Sequence, residues 1–467
     1  MIWIINFLII IFFIEVTHHL SLKVKIFKII NLSKKIFNHI SNKNLGVDEK
    51  KKIIEDNIKK LIKLYIKIVF IFSLVVLFFL IINKLFHLDY NFVLLNFIEV
   101  KFLIASVIFI FLYLKVKNKI LKQSRYSYLS KIFHKFVLNS NQRLKVLFEI
   151  EKFFFLKKND EANIDCLFIT GLPRSGSTIL LKSLYNTHLF SSLKYSDMPF
   201  ITSPNLWSKI NFLKKKILIH ERAHQDGINI DLDSPEAFEE IFWRSQLDNN
   251  NEQKLYYNNS QYKDNIIDEF QSFIKLIVLN DKKNFYLSKN NNNIIRIKFL
   301  LDKLKKKKII ILFRNPLDHC ISMYDQHKNF IYLQKKNLFF LDYMNMLSHF
   351  EFGLNHKPIQ ITNFKSNYLP NDLNYWLEYW VMVYQNLINY SNHEDIIFLS
   401  FENFTDHPDK IIEKILNKLN INSKTNKNSV KKIKKKSFDF FNINKNVLIS
   451  ANNIYEKMRH YEINTSK

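Results

Sequence analysis

The sequence predicts an α/β protein, a P-loop-like domain built on a central, mainly parallel sheet and preceded by an N-terminal helical membrane region. Three observations predict it. An apolar run, Cys166 to Ile169, leads into a glycine-rich turn and then into apolar residues at helical spacing. A second apolar run, Ile309 to Phe313, ends in Arg314-Asn-Pro316 and another helical pattern. Long uncharged apolar stretches fall only within the first 114 residues.

The boundaries read from these features are an anchor over 1–122, a helical connector over 123–160, a catalytic domain over 161–425 and a lysine-rich extension over 426–467 that ends in a helix. In the anchor, residues 68–82 are uncharged and apolar, and with the flanking Leu64 to Lys67 they approach the ~20 residues needed to cross hydrocarbon. Phe102 to Leu114 is a second such run, and Met1 to Ile14 a shorter third, read either as a first span or as an interfacial helix. Two or three spans are therefore expected. Twelve lysines lie between Lys23 and Lys63, and Lys115 to Arg125 is basic again, whereas the connection Asn83 to Asn91 carries only Lys84 and Asp89. The positive-inside rule then gives a multi-pass inner (plasma) membrane protein with its catalytic domain in the cytoplasm.

The net charge of +27 would permit nucleic-acid binding, but the lysines are spread along the chain rather than set among stacking aromatics, so no nucleic acid is expected as a partner. Cys166 and Cys320 are far apart in apolar surroundings, which gives no disulfide framework and fits a reducing compartment.

The catalytic domain opens with Gly171-Leu-Pro-Arg-Ser-Gly176-Ser-Thr178 between strand and helix. Backbone N–H groups at such a turn can cradle a phosphate, because glycine lets the chain approach the anion closely. The glycine spacing is that of a nucleotide-triphosphate loop, yet Ser177 stands where that motif demands lysine, and the positive charge has moved to Arg174. Pro173 to Thr178 resembles instead the P-[KR]-[ST]-G-[ST]-[TS] loop of the sulfotransferases that use 3′-phosphoadenosine 5′-phosphosulfate. Arg314 and Ser322, eight residues apart, resemble the site at which that family holds the 3′-phosphate of its donor. Arginine presents a bidentate fork to such a group. The resemblance runs from about Asp165 to Leu419 and includes the element Phe401-Glu402-Asn-Phe404.

The resemblance implies that Arg174, Ser175, Gly176, Ser177 and Thr178 hold the 5′-phosphosulfate, and that Arg314 and Ser322 hold the 3′-phosphate. It implies sulfuryl transfer to a hydroxyl or amine of an acceptor, carbohydrate or lipid among the candidates, with the bilayer as a further partner and with no metal. Asp197, in Tyr195-Ser-Asp-Met-Pro-Phe200, matches by position the general base of relatives acting on carbohydrate and tyrosine; a helix cap serves it equally well. His224 is the second candidate, since histidine titrates near working pH. Glu221, His224 and Asp226 lie within six residues, but the helix-borne H-E-x-x-H of a metal site is absent. Ser234, Pro235 and Glu236 read as a helix start in a stretch that resembles the acceptor-covering region of bacterial relatives. Lys289, after a short strand, resembles the lysine that steadies charge on the leaving phosphate, although Asn290 and Asn291 follow where proline is usual. The alternatives are a membrane-associated P-loop kinase or NTPase and a non-enzymatic scaffold that retains a degenerate nucleotide domain.

Overall fold

The computed structural model describes residues 9–14, 16, 25, 28–33, 47–85, 105–110, 113, 128–157, 164–210, 220–221, 229–247, 265–421 and 443–463. The chain divides into two compact units, residues 1–131 with 213–215, and residues 132–212 with 216–467.

In the first unit, helix α1 covers Val47–Leu85. Its segment Glu55–Phe78 is, among the described residues, the one helix long and apolar enough to cross a membrane, and only 6% of its apolar window is buried. The expectation of a multi-pass protein is not supported beyond this. Of Met1 to Ile14 only residues 9–14 are described, and of Phe102 to Leu114 only 105–110 and 113.

The second unit is built on five parallel strands: β1 Asp165–Thr170, β2 Phe190–Ser191, β3 Phe285–Lys289, β4 Lys307–Phe313 and β5 Ile396–Ser400. Their order across the sheet is β2-β3-β1-β4-β5. The crossover from β1 leads towards β2, and that from β4 towards β5, so the sheet switches direction between β1 and β4. Ligands in open α/β sheets bind beyond the strand C-termini at such a point. β1 and β4 are apolar almost throughout because both faces of a parallel sheet are covered. Leu167, Ile169, Ile310, Leu312 and Leu399 pack with Leu180, Leu181 and Leu184 of helix α3 (Ser177–Tyr185) and with Ile411, Ile412 and Ile415 of the helix Pro408–Lys418.

Register decides what emerges at the binding edge. Ile169 lies opposite Lys289 and Thr170 opposite Ile311, while Phe313 lies opposite Ser400. Gly171, Lys289, Arg314 and Phe401 therefore leave the sheet at the same end.

Five further helices of this unit are α2 Asn141–Phe155, α4 Ile266–Asp281, α5 Pro316–Lys336, α6 Leu373–Leu387 and α7 Lys445–Tyr461. α5 starts where it does because Asn315 caps it, its side chain accepting from Asp318 N at 3.3 Å, and because Pro316 suits the first turn. The lysine-rich C-terminal segment is not a free extension where it is described. α7 packs on α6, and the chain beyond it adds to the sheet edge, with Ile463 N on Phe398 O at 2.9 Å.

Candidate functional site

The loop after β1 is shaped by two glycines that no other residue replaces without strain. Gly171 has φ +142°, and a Cβ there would lie 2.2 Å from Leu312 O; Gly176 has φ +95°, and its Cβ would lie 2.2 Å from the Phe401 ring. Arg174 between them also adopts a positive φ, 74°, a conformation uncommon for a side-chain-bearing residue. Gly176 is the N-cap of α3, and the helical ladder begins with Ile179 N and Leu180 N on Gly176 O, at 3.0 and 3.2 Å. The N–H groups ahead of that ladder lie at the positive end of the helix dipole.

The loop is pinned from below. Tyr384 of α6 donates to Leu312 O (2.9 Å) and accepts from Leu172 N (3.3 Å), joining β4 to the loop. His319 of α5 contacts Pro173 O through Nε2 at 2.9 Å, and Trp380 Nε1 donates to His319 Nδ1 at 3.2 Å. Because indole only donates, Nδ1 is the acceptor and Nε2 carries the proton given to Pro173. Burial first, and then the charges of Arg314 and Arg174, push the His319 pKa down to about 3 against the pull of the Pro173 carbonyl. The imidazole is neutral at working pH.

Pro173, Arg174, Gly176, Ser177 and Thr178 line one cavity with Arg314 and Lys289. Thus residues from the ends of β1, β3 and β4 meet. Arg174 Nε donates to Ser322 Oγ at 3.2 Å. Arg314 lies over the Phe401 ring at 5.1 Å, an arrangement that steadies a guanidinium without occupying all of its donors. Burial lowers the Arg314 pKa, opposed by Asp318 and Glu402. Glu402 also holds the turn after β4: its Oε1 accepts from Asn315 N at 3.0 Å, and its Oε2 accepts from Tyr455 of α7 at 3.2 Å.

The sulfotransferase family profile matches residues 166–425, more than half of the chain. The chain belongs to the sulfotransferase family. Among solved structures it is similar to a sulfotransferase from Mycobacterium tuberculosis, at 13% identity over 62% of this chain and 76% of that one, with a TM-score of 0.38. A sulfotransferase from Mycobacterium avium is similar at 12% identity over 61% and 71% of the two chains, again with a TM-score of 0.38. No curated protein matches the sequence.

Not every residue singled out in the sequence reaches the cavity of this sulfotransferase. Ser175 is fully buried, its Oγ has no hydrogen-bond partner among the described residues, and it does not line the cavity. Ser322 stands behind Arg174 rather than in the lining. Asp197 is also outside it. Its Oδ2 accepts from Lys194 N at 2.8 Å, closing a short helical turn, which is the capping role the sequence left open. Lys194 in turn pairs with Asp281. His224, with residues 222–228, lies outside the described residues. Among the described residues no group of three or more His, Cys, Asp or Glu is placed to hold a metal.

The cavity instead brings in residues the sequence did not assign to chemistry. Glu236 lines it, its Oε2 accepting from Tyr195 Oη at 2.8 Å and its Oε1 from Ala237 N at 3.0 Å. Glu351 and His349 lie in the same lining, with Phe330, Met344 and Phe352 forming an apolar wall. His349 Nε2 contacts Ala237 O at 3.0 Å, so the carbonyl fixes the proton on that nitrogen.

The floor at Lys289 is set by asparagines, two of which follow it where the family resemblance would put proline. Asn290 N continues the ladder to Ile169 O at 3.0 Å, and its side chain donates to Glu240 Oε2 at 2.8 Å. Asn293 donates to Glu239 Oε1 at 2.9 Å, and Arg296 grips both oxygens of Glu240 at 2.7 and 2.8 Å. Each of these groups is almost wholly buried, so the network is rigid only because its members satisfy one another.

Proposed function

We propose that this sulfotransferase moves a sulfuryl group from 3′-phosphoadenosine 5′-phosphosulfate to a hydroxyl or amine of an acceptor. The observation that carries the reading is the convergence of Arg174 and Arg314, from two different strand ends, on one cavity at the switch point of the sheet. One anionic group at each end of a single donor suits two guanidinium groups so placed. The residues fit that donor in a further respect: the positive-φ Gly176 keeps the helix N-terminus open to an anion where a Cβ would meet Phe401.

The donor supplies an activated sulfuryl group. Arg174 and the backbone of Gly176 to Thr178 bind its 5′ end, while Arg314 binds the 3′-phosphate and excludes nucleotides that lack it. Ser322 orients Arg174. Lys289 offsets the negative charge that develops on the departing phosphate oxygen as its bond to sulfur breaks. Glu236 takes the role first assigned to Asp197, accepting the acceptor's proton from within the lining. The apolar wall of Phe330, Met344 and Phe352 holds the acceptor against the carboxylate and excludes water.

The helix Glu55–Phe78 attaches the chain to a membrane.

Equilibrium dialysis of the full chain against 3′-phosphoadenosine 5′-phosphate and against ATP with magnesium tests the donor. Preference for the bisphosphate supports the reading, and preference for magnesium-ATP returns the protein to the kinase class.

A further inference from the structure

Helix α2 carries two apolar stripes, and the core uses only one of them. Leu144 and Phe148 are buried, as is Glu151, whose carboxylate accepts from Asn205 and Leu206. A second stripe, Val146, Ile150, Phe153 and Phe154, follows i, i+4, i+7, i+8 and faces outward. Phe153 is 82% exposed and Phe154 65%. The stripe continues onto the preceding helix, Tyr128–Leu138, where Phe136 is 61% exposed and lies under the Arg143 guanidinium at 4.8 Å. An exposed apolar band of this length on a catalytic unit marks an interaction surface.

Two features of the chain specify what covers it. Residues 131–157 carry six Lys or Arg; Lys135 pairs with Asp342 and Lys152 with Glu149 and Glu269, while Arg143 and Lys145 flank the band with positive charge that matches an anionic partner. Upstream in the same sequence lies the helix Glu55–Phe78, of membrane-spanning length, so a bilayer is tethered close to whatever follows it. An amphipathic helix with aromatic residues on one face and basic residues beside them lies in the interface of an anionic bilayer.

We infer that the face formed by Phe136, Val146, Ile150, Phe153 and Phe154 seats the catalytic unit on an anionic bilayer surface, with Arg143, Lys145 and Lys157 meeting the headgroups. The inference rests on membrane attachment, and the two are separated in the test below.

Full-length protein carrying Phe153→Cys, Phe154→Cys or Lys145→Cys is spin-labelled and reconstituted in nanodiscs that contain phosphatidylglycerol. Cys166 and Cys320 are buried and do not compete for the label. The ratio of oxygen to nickel-chelate accessibility is expected to be about tenfold higher at 153 and 154 than at 145, and to fall in phosphatidylcholine alone. Two positions guard against one damaged variant. Labels at 153 as wet as that at 145, in protein that has entered the nanodisc, would overturn the inference while leaving attachment intact. Failure to enter the nanodisc would overturn attachment, and the inference with it. Spin–spin broadening between labels at 153 that persists in lipid would show a second copy on the face and would also overturn it. Equal immersion in both lipids would remove the role given to charge.

Discussion

Arg174 Nε donates to Ser322 Oγ across 148 positions of sequence, tying the loop after β1 to the helix after β4. The two halves of the donor site are thereby coupled. Arg314→Ala is expected to weaken 3′-phosphoadenosine 5′-phosphate by about tenfold to a hundredfold and adenosine 5′-phosphosulfate little. Arg174→Ala should weaken both. Ser322→Ala should also weaken both, by roughly 0.5–1.5 kcal/mol, because it releases Arg174. Isothermal titration of the three variants against the two ligands distinguishes this from a Ser322 that serves the 3′-phosphate alone, which would affect only the first ligand.

Glu236 and Asp197 make opposite predictions. Glu236→Gln keeps an acceptor for Tyr195 but no base, so transfer of labelled sulfate into a cell extract should fall by about 10²–10⁴-fold with donor affinity unchanged. Asp197→Asn should lower thermal stability through the loss of a charged cap on Lys194 N and leave turnover per folded molecule close to normal. Turnover lost in the Asp197 variant, with Glu236→Gln active, would return the base to its first assignment.

Gly176→Ala should abolish donor binding. It combines an unfavourable φ of +95° with a Cβ 2.2 Å from the Phe401 ring. Phe401→Ala in the same chain removes the clash but not the backbone strain, so binding measured for the double variant should return only in part.

Stability should fall in acid. Burial holds His319 at about 3 and His327, whose Nδ1 accepts from Gly353 N, at about 4, both below the ordinary imidazole value. Below about pH 6.5 the unfolded chain takes up protons on these residues that the folded chain does not. Their stabilisation is full above that pH and is lost as pH falls towards 4, at about 1.4 kcal/mol per unit for each. Urea midpoints at several pH values measure it, and His319→Asn should flatten the dependence.

How much of this was legible depends on how locally each feature is encoded. β1 and β4 could be read because a run buried on both faces is continuously apolar, and because Gly171, Gly176 and Arg314-Asn-Pro316 follow directly. Arg174, Arg314 and Lys289 reached the cavity because each stands at or just beyond a strand end, where register fixes the direction of exit. Glu236, His349 and Glu351 come from loops whose approach depends on tertiary packing, and Glu236 could be read only as part of a helix start. Asp197 lies outside the lining because its Oδ2 closes a turn three residues long, the capping role that its sequence context offered equally. The signal for α7 was its helical spacing alone; nothing in it announced that Tyr455 would brace Glu402.

The asparagines beneath Lys289 bear on how long the protein stays active. Asn290 and Asn293 donate amide hydrogens to the buried carboxylates of Glu239 and Glu240. Spontaneous deamidation of either would replace a donor with an anion facing an anion, in a buried place of low dielectric. The strand end that presents Lys289 would be expected to loosen. A stored preparation should therefore lose donor turnover in step with acid appearing at these two positions, read by peptide mass spectrometry, and their burial should make that ageing slow until the protein first unfolds.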